Sequence, residues 1–178
     1  MNRELLWARW WCFAWLEADE SWVPSELSLV SPQQRQHLAK VYHQSLGRLY
    51  GLSAHFPCRA SDTLADIALA DKAHLHHLLK LAAATCEPMQ DFSLDEHEKQ
   101  WCERIARGLK PGQWVEGQQD PLCLLRQWID NEAIWQRFRL RFQRDRIELV
   151  QAIPRLSVSA KKLDTFWQAM VWRLHQSP

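Results

Sequence analysis

Apolar residues recur at helical spacing along nearly the whole chain. Over residues 3–18, Leu6, Trp10, Phe13 and Ala14 form one stripe, and Trp7, Trp11 and Trp15 form a second at i, i+4, i+8. Two stripes make a helix that is apolar nearly all round. Such a helix is fully buried, or it lends one face to another chain. Ser31 followed by Pro32 reads as a capped start, and Leu38, Val41, Tyr42, Leu46 and Leu49 make the stripe of that helix, with Gly51 as its stop.

Further capped segments follow. Ser61 opens a short helix through Leu64, Ile67 and Ala68. Asp71 caps one that reaches about Cys86, with Leu75, Leu78, Leu79 and Ala82 on its face. Ser93 and Glu96 read as a capping box for a helix through Trp101, Ile105 and Leu109. Gly108, Pro111, Gly112 and Gly117 form the longest cluster of breakers. Asp120 and Pro121 start a helix through Leu122, Leu125, Trp128 and Ile129, and Asn131 caps the next through Ile134, Trp135 and Phe138. The run F-R-L-R-F at 138–142 alternates like a strand, but it is short and isolated, so a helix is expected there too. Pro154 breaks the chain, and Ser159 caps a last helix through Leu163, Phe166, Trp167, Met170 and Leu174.

This pattern predicts an all-α fold: one compact, bundle-like domain over 1–178 with about seven or eight helices. There is no internal repeat, no low-complexity tract and no linker long enough to divide it. Composition agrees. Of 178 residues 47% are hydrophobic and 24% charged, a globular balance, and 5 Gly with 8 Pro supply too few turns for an all-β fold.

Charge narrows the partners only a little. The net charge is +1, so nothing demands a polyanion across the whole surface. The five cysteines, Cys12, Cys58, Cys86, Cys102 and Cys123, are scattered and odd in number, which excludes a zinc or redox spacing and fits a reducing cytoplasm. The apolar stretch L-L-W-A-R-W-W-C-F-A-W contains Arg9 and meets Glu17, Asp19 and Glu20 before the roughly 20 residues that a membrane span needs. It also lacks the layout of a signal peptide, so neither export nor membrane crossing is expected.

Candidate chemistry is sparse. His74 and His77 in H-L-H-H stand at i, i+3, but a metal needs three or four compatible ligands, so a polar helix face is the plainer reading and no metal is assigned. No G-x-S-x-G, G-x-G-x-x-G or G-K-[ST] occurs. No catalytic residue, cofactor or small-molecule substrate is therefore assigned, and the chain is read as a non-enzyme. The competing reading is a small helical enzyme; it would show as a deep polar pocket with strongly perturbed carboxylates.

Two features suggest docking instead. Eleven tryptophans are a large excess, and indoles anchor interfaces as well as cores. Arg137, Arg139, Arg141, Arg144 and Arg146 lie within ten residues, and Arg137, Arg141 and Arg144 fall on one helical face at i, i+4, i+7. Guanidinium forks suit carboxylates or phosphates. The run reads as a solvated face with snorkelling stems, as a contact for an acidic patch on a partner protein, or as a nucleic-acid contact.

Three segments in order carry a resemblance: W-C-E-R-I-A-R-G-L-K-P-G-Q-W from Trp101, D-P-L-C-L-L-R-Q-W-I from Asp120, and I-W-Q-R-F-R-L-R-F-Q-R-D-R-I-E-L from Ile134. This ordering resembles the small cytoplasmic K component of bacterial type III secretion systems, the SctK family, called HrpD in the Hrp systems of plant-associated bacteria. That family likewise shows L-x-P-x-x-W, then a Trp-containing helix, then a segment like L-R-L-R-F-P; here Gln143 stands at the Pro position.

The resemblance implies a helical adaptor of the cytoplasmic sorting platform, peripheral to the inner-membrane base of a virulence-type secretion apparatus. Its partners would be the ring protein with a forkhead-associated-like cytoplasmic domain (the D component) and the pod protein (the Q component). The L-type stator and the secretion ATPase would be reached indirectly. The candidate contact residues are then Arg137, Arg139, Arg141, Arg144 and Arg146 for a charge-reading side, and Trp7, Trp11 and Trp15 for an apolar side. On this view Arg141→Glu abolishes partner capture without unfolding the protein. The alternative is a nucleic-acid-binding regulator that uses the Arg137–Arg146 face.

Overall fold

The computed structural model describes residues 2–115 and 120–176. Among the described residues it is all-α, with nine helices and no strand. The expected breaker Gly117 lies outside the described residues. The chain forms two compact units: residues 1–69 with 129–149, and residues 70–128 with 150–178. Each draws on two separated stretches of sequence, so no linker marks a boundary.

In the first unit, α1 (Arg3–Phe13) starts on Asn2, whose side chain accepts the Glu4 N–H. It tightens into a 3-10 turn over Ala14–Glu17. The second helix, α2 (Pro32–Leu49), begins with Ser31 and Gln34 in a reciprocal capping box and has Pro32 at its first position. It packs on α1, and α3 (Asp62–Leu69) packs on α1 as well. The face of α2 turned inward is built on Ala39, Leu46 and Gly47. Two of these are small, and a Cβ on Gly47 would meet Trp15 and Leu52 at an ordinary contact distance of 3.9 Å.

In the second unit, α4 (Lys72–Cys86) is capped by Asp71 and packs against α5 (Glu96–Leu109) and α9 (Ala160–Leu174). The cap of α5 differs from expectation. Asp95 and Glu98 form the capping box, two residues later than Ser93 and Glu96. Ser93 has φ 53, and its N–H is held by the Asp91 carboxylate at 3.0 Å, so it belongs to the preceding turn. Lys110 closes α5 in the left-handed conformation, and a 3-10 turn over Pro111–Gln113 packs on α4. Gly112 is required there, because a Cβ would lie 2.6 Å from the Cys86 carbonyl oxygen. Trp114 then meets Phe166 edge-on at 5.9 Å, and Trp128 lies 6.2 Å from Trp167. α6 (Leu122–Trp128) and α9 complete this interior, where Phe166, Trp167 and Met170 are fully enclosed.

The Arg-rich stretch is broken rather than continuous. α7 (Glu132–Phe138) is capped by Asn131 and ends in a 3-10 turn over Arg139–Arg141; Phe142 is extended, and α8 (Arg144–Ala152) begins afresh. No strand forms at 138–142. Among the described residues no helix is long and apolar enough to cross a membrane.

Candidate functional site

Trp7, Trp11 and Trp15, expected as an apolar contact for a partner, are interior. The Trp7 indole N–H donates to the Cys58 carbonyl at 2.8 Å, and the Trp11 indole N–H donates to the His55 carbonyl at 2.7 Å. Trp7 stacks on Trp10 at 4.9 Å, and Trp15 on Tyr50 at 5.5 Å. These rings hold the segment after α2 against α1. An indole of this kind buries roughly 150–250 Å² within its own chain and leaves no face for another protein.

The five arginines do not form one surface. Arg137 is only 4% exposed. Its Nε donates to Trp11 O at 2.9 Å, Nη1 to Ala133 O at 2.9 Å and Nη2 to Ser53 O at 3.1 Å. Burial pushes its pKa down, an effect opposed by the nearby Cys12 and Cys58 thiols. The Arg141 side chain is also buried, with Nη1 donating to Ala68 O at 3.1 Å and Nε 3.7 Å from Glu17. Arg141→Glu would place a carboxylate in that interior against a carbonyl and Glu17, so the variant disturbs the fold itself, contrary to the expectation of a clean loss of binding.

The remaining three lie against aromatic rings. Arg139 and Arg144 both stand over Trp22, at 5.1 and 4.8 Å, while the Trp22 N–H donates to Phe142 O at 2.6 Å. Arg146 lies 5.5 Å from the Phe142 ring. Most of the run therefore staples the turn after α7 to the segment after α1. Of the five, Arg144 is exposed.

His74 and His77 have separate partners. His74 Nδ1 is 2.8 Å from Asp71, at the surface. His77 Nε2 is 2.8 Å from Glu98, a buried carboxylate that also closes the cap of α5. Among the described residues no group of three or more His, Cys, Asp or Glu is placed to hold a metal ion. The carboxylates held below their usual range, Asp71 and Asp91, are surface groups lowered first by backbone hydrogen bonds from His74 and Ser93.

The thiols sort by burial. Cys12 is exposed, Cys58 intermediate, and Cys86, Cys102 and Cys123 are buried. Burial pushes Cys86 up to about 12 and Cys123 up to about 11.

Several large apolar side chains stay exposed among the described residues, Leu29, Phe56, Met89 and Trp172 included, and those on α2 are ones that the sequence pattern assigns to the core. On α2, Val41 is 71% exposed, Tyr42 56% and Leu49 46%, with Leu38 beside them. They lie on both sides of a kink at Tyr42, whose φ −114 and ψ 22 are non-helical. The side that packs holds Ala39, Leu46 and Gly47, so of the predicted stripe Leu46 alone is buried. Next to α2 a cavity of about 310 Å³ opens among Trp11, Cys12, His43, Arg48 and the 52–57 segment.

Compared with known proteins, the chain matches no family model, no curated protein and no solved structure.

Proposed function

We propose that this chain is a non-enzymatic adaptor that holds other proteins, and that it works in the cytoplasmic sorting platform of a type III secretion system. There it links the inner-membrane ring to the Q-component pod. The observation that carries the docking role is the exposed row Leu38, Val41, Tyr42 and Leu49 on α2. Burying such a row on a partner removes apolar surface from water at about 25 cal/mol per Å². The assignment to the secretion platform rests on the resemblance of the segments beginning at Trp101, Asp120 and Ile134 to the K component.

The nucleic-acid reading of Arg137–Arg146 has less support. Arg137 and Arg141 direct guanidinium donors to backbone carbonyls of their own chain.

The test is co-purification of the full chain with the ring protein's cytoplasmic domain and with the pod protein. The wild-type chain is expected to retain both. The double variant V41E/L49E is expected to lose at least one while keeping its circular dichroism and melting temperature, since both positions are exposed. Retention of neither protein by the wild-type chain overturns the secretion assignment. Retention of both by the double variant overturns the role of α2.

A further inference from the structure

The exposed side of α2 has a charge as well as a shape. Over Pro32–Leu49 the helix carries Arg35, Lys40 and Arg48 and no acid. Lys40 precedes the kink at Tyr42 (φ −114, ψ 22), Gln44 and Arg48 follow it, and all three are exposed. Gln44 and Arg48 also line the neighbouring cavity. That lining contains Arg48, Arg137, His43 and His55 and no carboxylate, while Trp11, Leu52 and Phe56 supply apolar wall. Arg137 has its donors on three carbonyls, so it contributes positive field rather than contacts; Arg48 is exposed and available to a ligand. The volume, about 310 Å³, stands at the lower end of the roughly 300–1,000 Å³ usual for ligand pockets. It suits one large side chain better than a cofactor.

We propose that this surface takes an acidic segment of a partner protein that carries large apolar anchors. One anchor enters the cavity, others lie along Leu38, Val41, Tyr42 and Leu49, and the segment's carboxylates face Lys40 and Arg48. This deepens the docking role given to the chain above and rests on it.

Three other occupants fit less well. A second copy packed through the same face would bring α2 cations against α2 cations with no acid on the helix to pair them. An anionic bilayer is recognised by clusters of about 4–8 Lys or Arg, and α2 offers three. Nucleic acid would meet the apolar row with its phosphates, a mismatch across the centre of the surface.

The test uses the full chain and two synthetic helical peptides of equal length. Both carry Leu and Trp along one seam; the remaining positions are Glu in one and Lys in the other. Binding is read by fluorescence anisotropy, and site occupancy by the rate at which N-ethylmaleimide alkylates Cys12, followed on the Cys12 peptide by mass spectrometry. Cys12 is exposed and lines the cavity, so it reports entry directly.

The Glu peptide is expected to bind at least roughly tenfold more tightly than the Lys peptide, to slow alkylation of Cys12, and to lose affinity on K40E/R48E. In that double variant the Lys peptide is expected to become the better ligand, a reversal that misfolding does not produce. Equal binding of the two peptides, binding of the Glu peptide with Cys12 alkylated at its free rate, or no binding of the Glu peptide overturns the proposal. So does co-sedimentation with vesicles of phosphatidylcholine and phosphatidylglycerol that K40E/R48E abolishes, or a concentration-dependent dimer that V41E/L49E abolishes. If the Glu peptide binds as described but ring and pod proteins do not, the secretion assignment fails and the acidic-segment site stands.

Discussion

The guanidinium of Arg137 lies 4.0 Å from the centre of the Trp11 ring and donates through Nε to the carbonyl of that same residue. One side chain thus grips both the ring and the backbone of α1. Its other two contacts hold the Ser53 carbonyl and the preceding turn of α7. Arg137→Ala leaves these acceptors without their donor and removes a cation from a buried indole, and it is expected to destabilise the protein by about 3 kcal/mol. Arg137→Lys keeps the charge but not the fork, so it should recover only part of that loss. Urea denaturation of the two variants checks this, and a loss below about 0.5 kcal/mol for Arg137→Ala would contradict the clamp.

Two glycines in the second unit should respond in opposite ways. Gly112→Ala forces a Cβ against the Cys86 carbonyl, so the 3-10 turn must move off α4, at a cost of about 1–3 kcal/mol. Gly108 is exposed inside α5, and a Cβ added there would meet nothing within 4 Å. Gly108→Ala should therefore leave stability unchanged or raise it by roughly 0.5–1 kcal/mol. Thermal melts of the pair provide the comparison.

The orientation of α2 is open to a similar check. Ala39→Leu inserts bulk on the buried side of the helix and should cost about 1–3 kcal/mol. Val41→Ala on the exposed side should stay within about 0.5 kcal/mol of the parent. Denaturant midpoints of the two variants decide it, and the reverse order would mean that the helix packs on its large-residue face.

Stability should also fall at high pH through Cys86. Its thiol ionises near 9.0 in the unfolded chain but only at about 12 when buried. Above pH 9 the unfolded state loses this proton and the folded state keeps it. The contribution is thus full below pH 9 and declines as pH rises towards 12, by up to about 1.4 kcal/mol per pH unit for one thiol. In denaturation experiments Cys86→Ala should lessen the slope of the stability curve above pH 9, leaving the part due to Cys123, and an unchanged slope would show that this thiol is not protected.

Helix starts are legible wherever one polar residue stands alone before an apolar period. Ser31, Asp71, Asn131 and Ser159 all act as caps in the structure. At S-L-D-E-H-E two boxes overlap, and backbone geometry at Ser93 selects the later one. The break at 139–143 has no glycine or proline to announce it. A single helical period therefore runs unbroken through Arg137, Arg141 and Arg144 in the sequence, although a 3-10 turn and the extended Phe142 separate them in space.

The exposed row on α2 escapes the sequence pattern for a related reason. Large apolar residues look like core when each helix is read alone. Which face packs depends on the neighbouring segments, and Gly47 lies within contact distance of Trp15 and Leu52. The fate of the α1 indoles is equally non-local: the acceptors of Trp7 and Trp11, the Cys58 and His55 carbonyls, lie 51 and 44 residues away in sequence.

The interleaved path of the chain has a consequence during synthesis. Residues 1–69 cannot complete their unit until 129–149 have been made, because Arg137 belongs to that later stretch. At about 5–20 residues per second, the ribosome leaves the tryptophan-rich beginning waiting for several seconds at least. A nascent chain in that interval shows the indoles of α1 to whatever is near, so chaperone engagement should be greatest before residue 149 emerges and should drop once the guanidinium clamp can close.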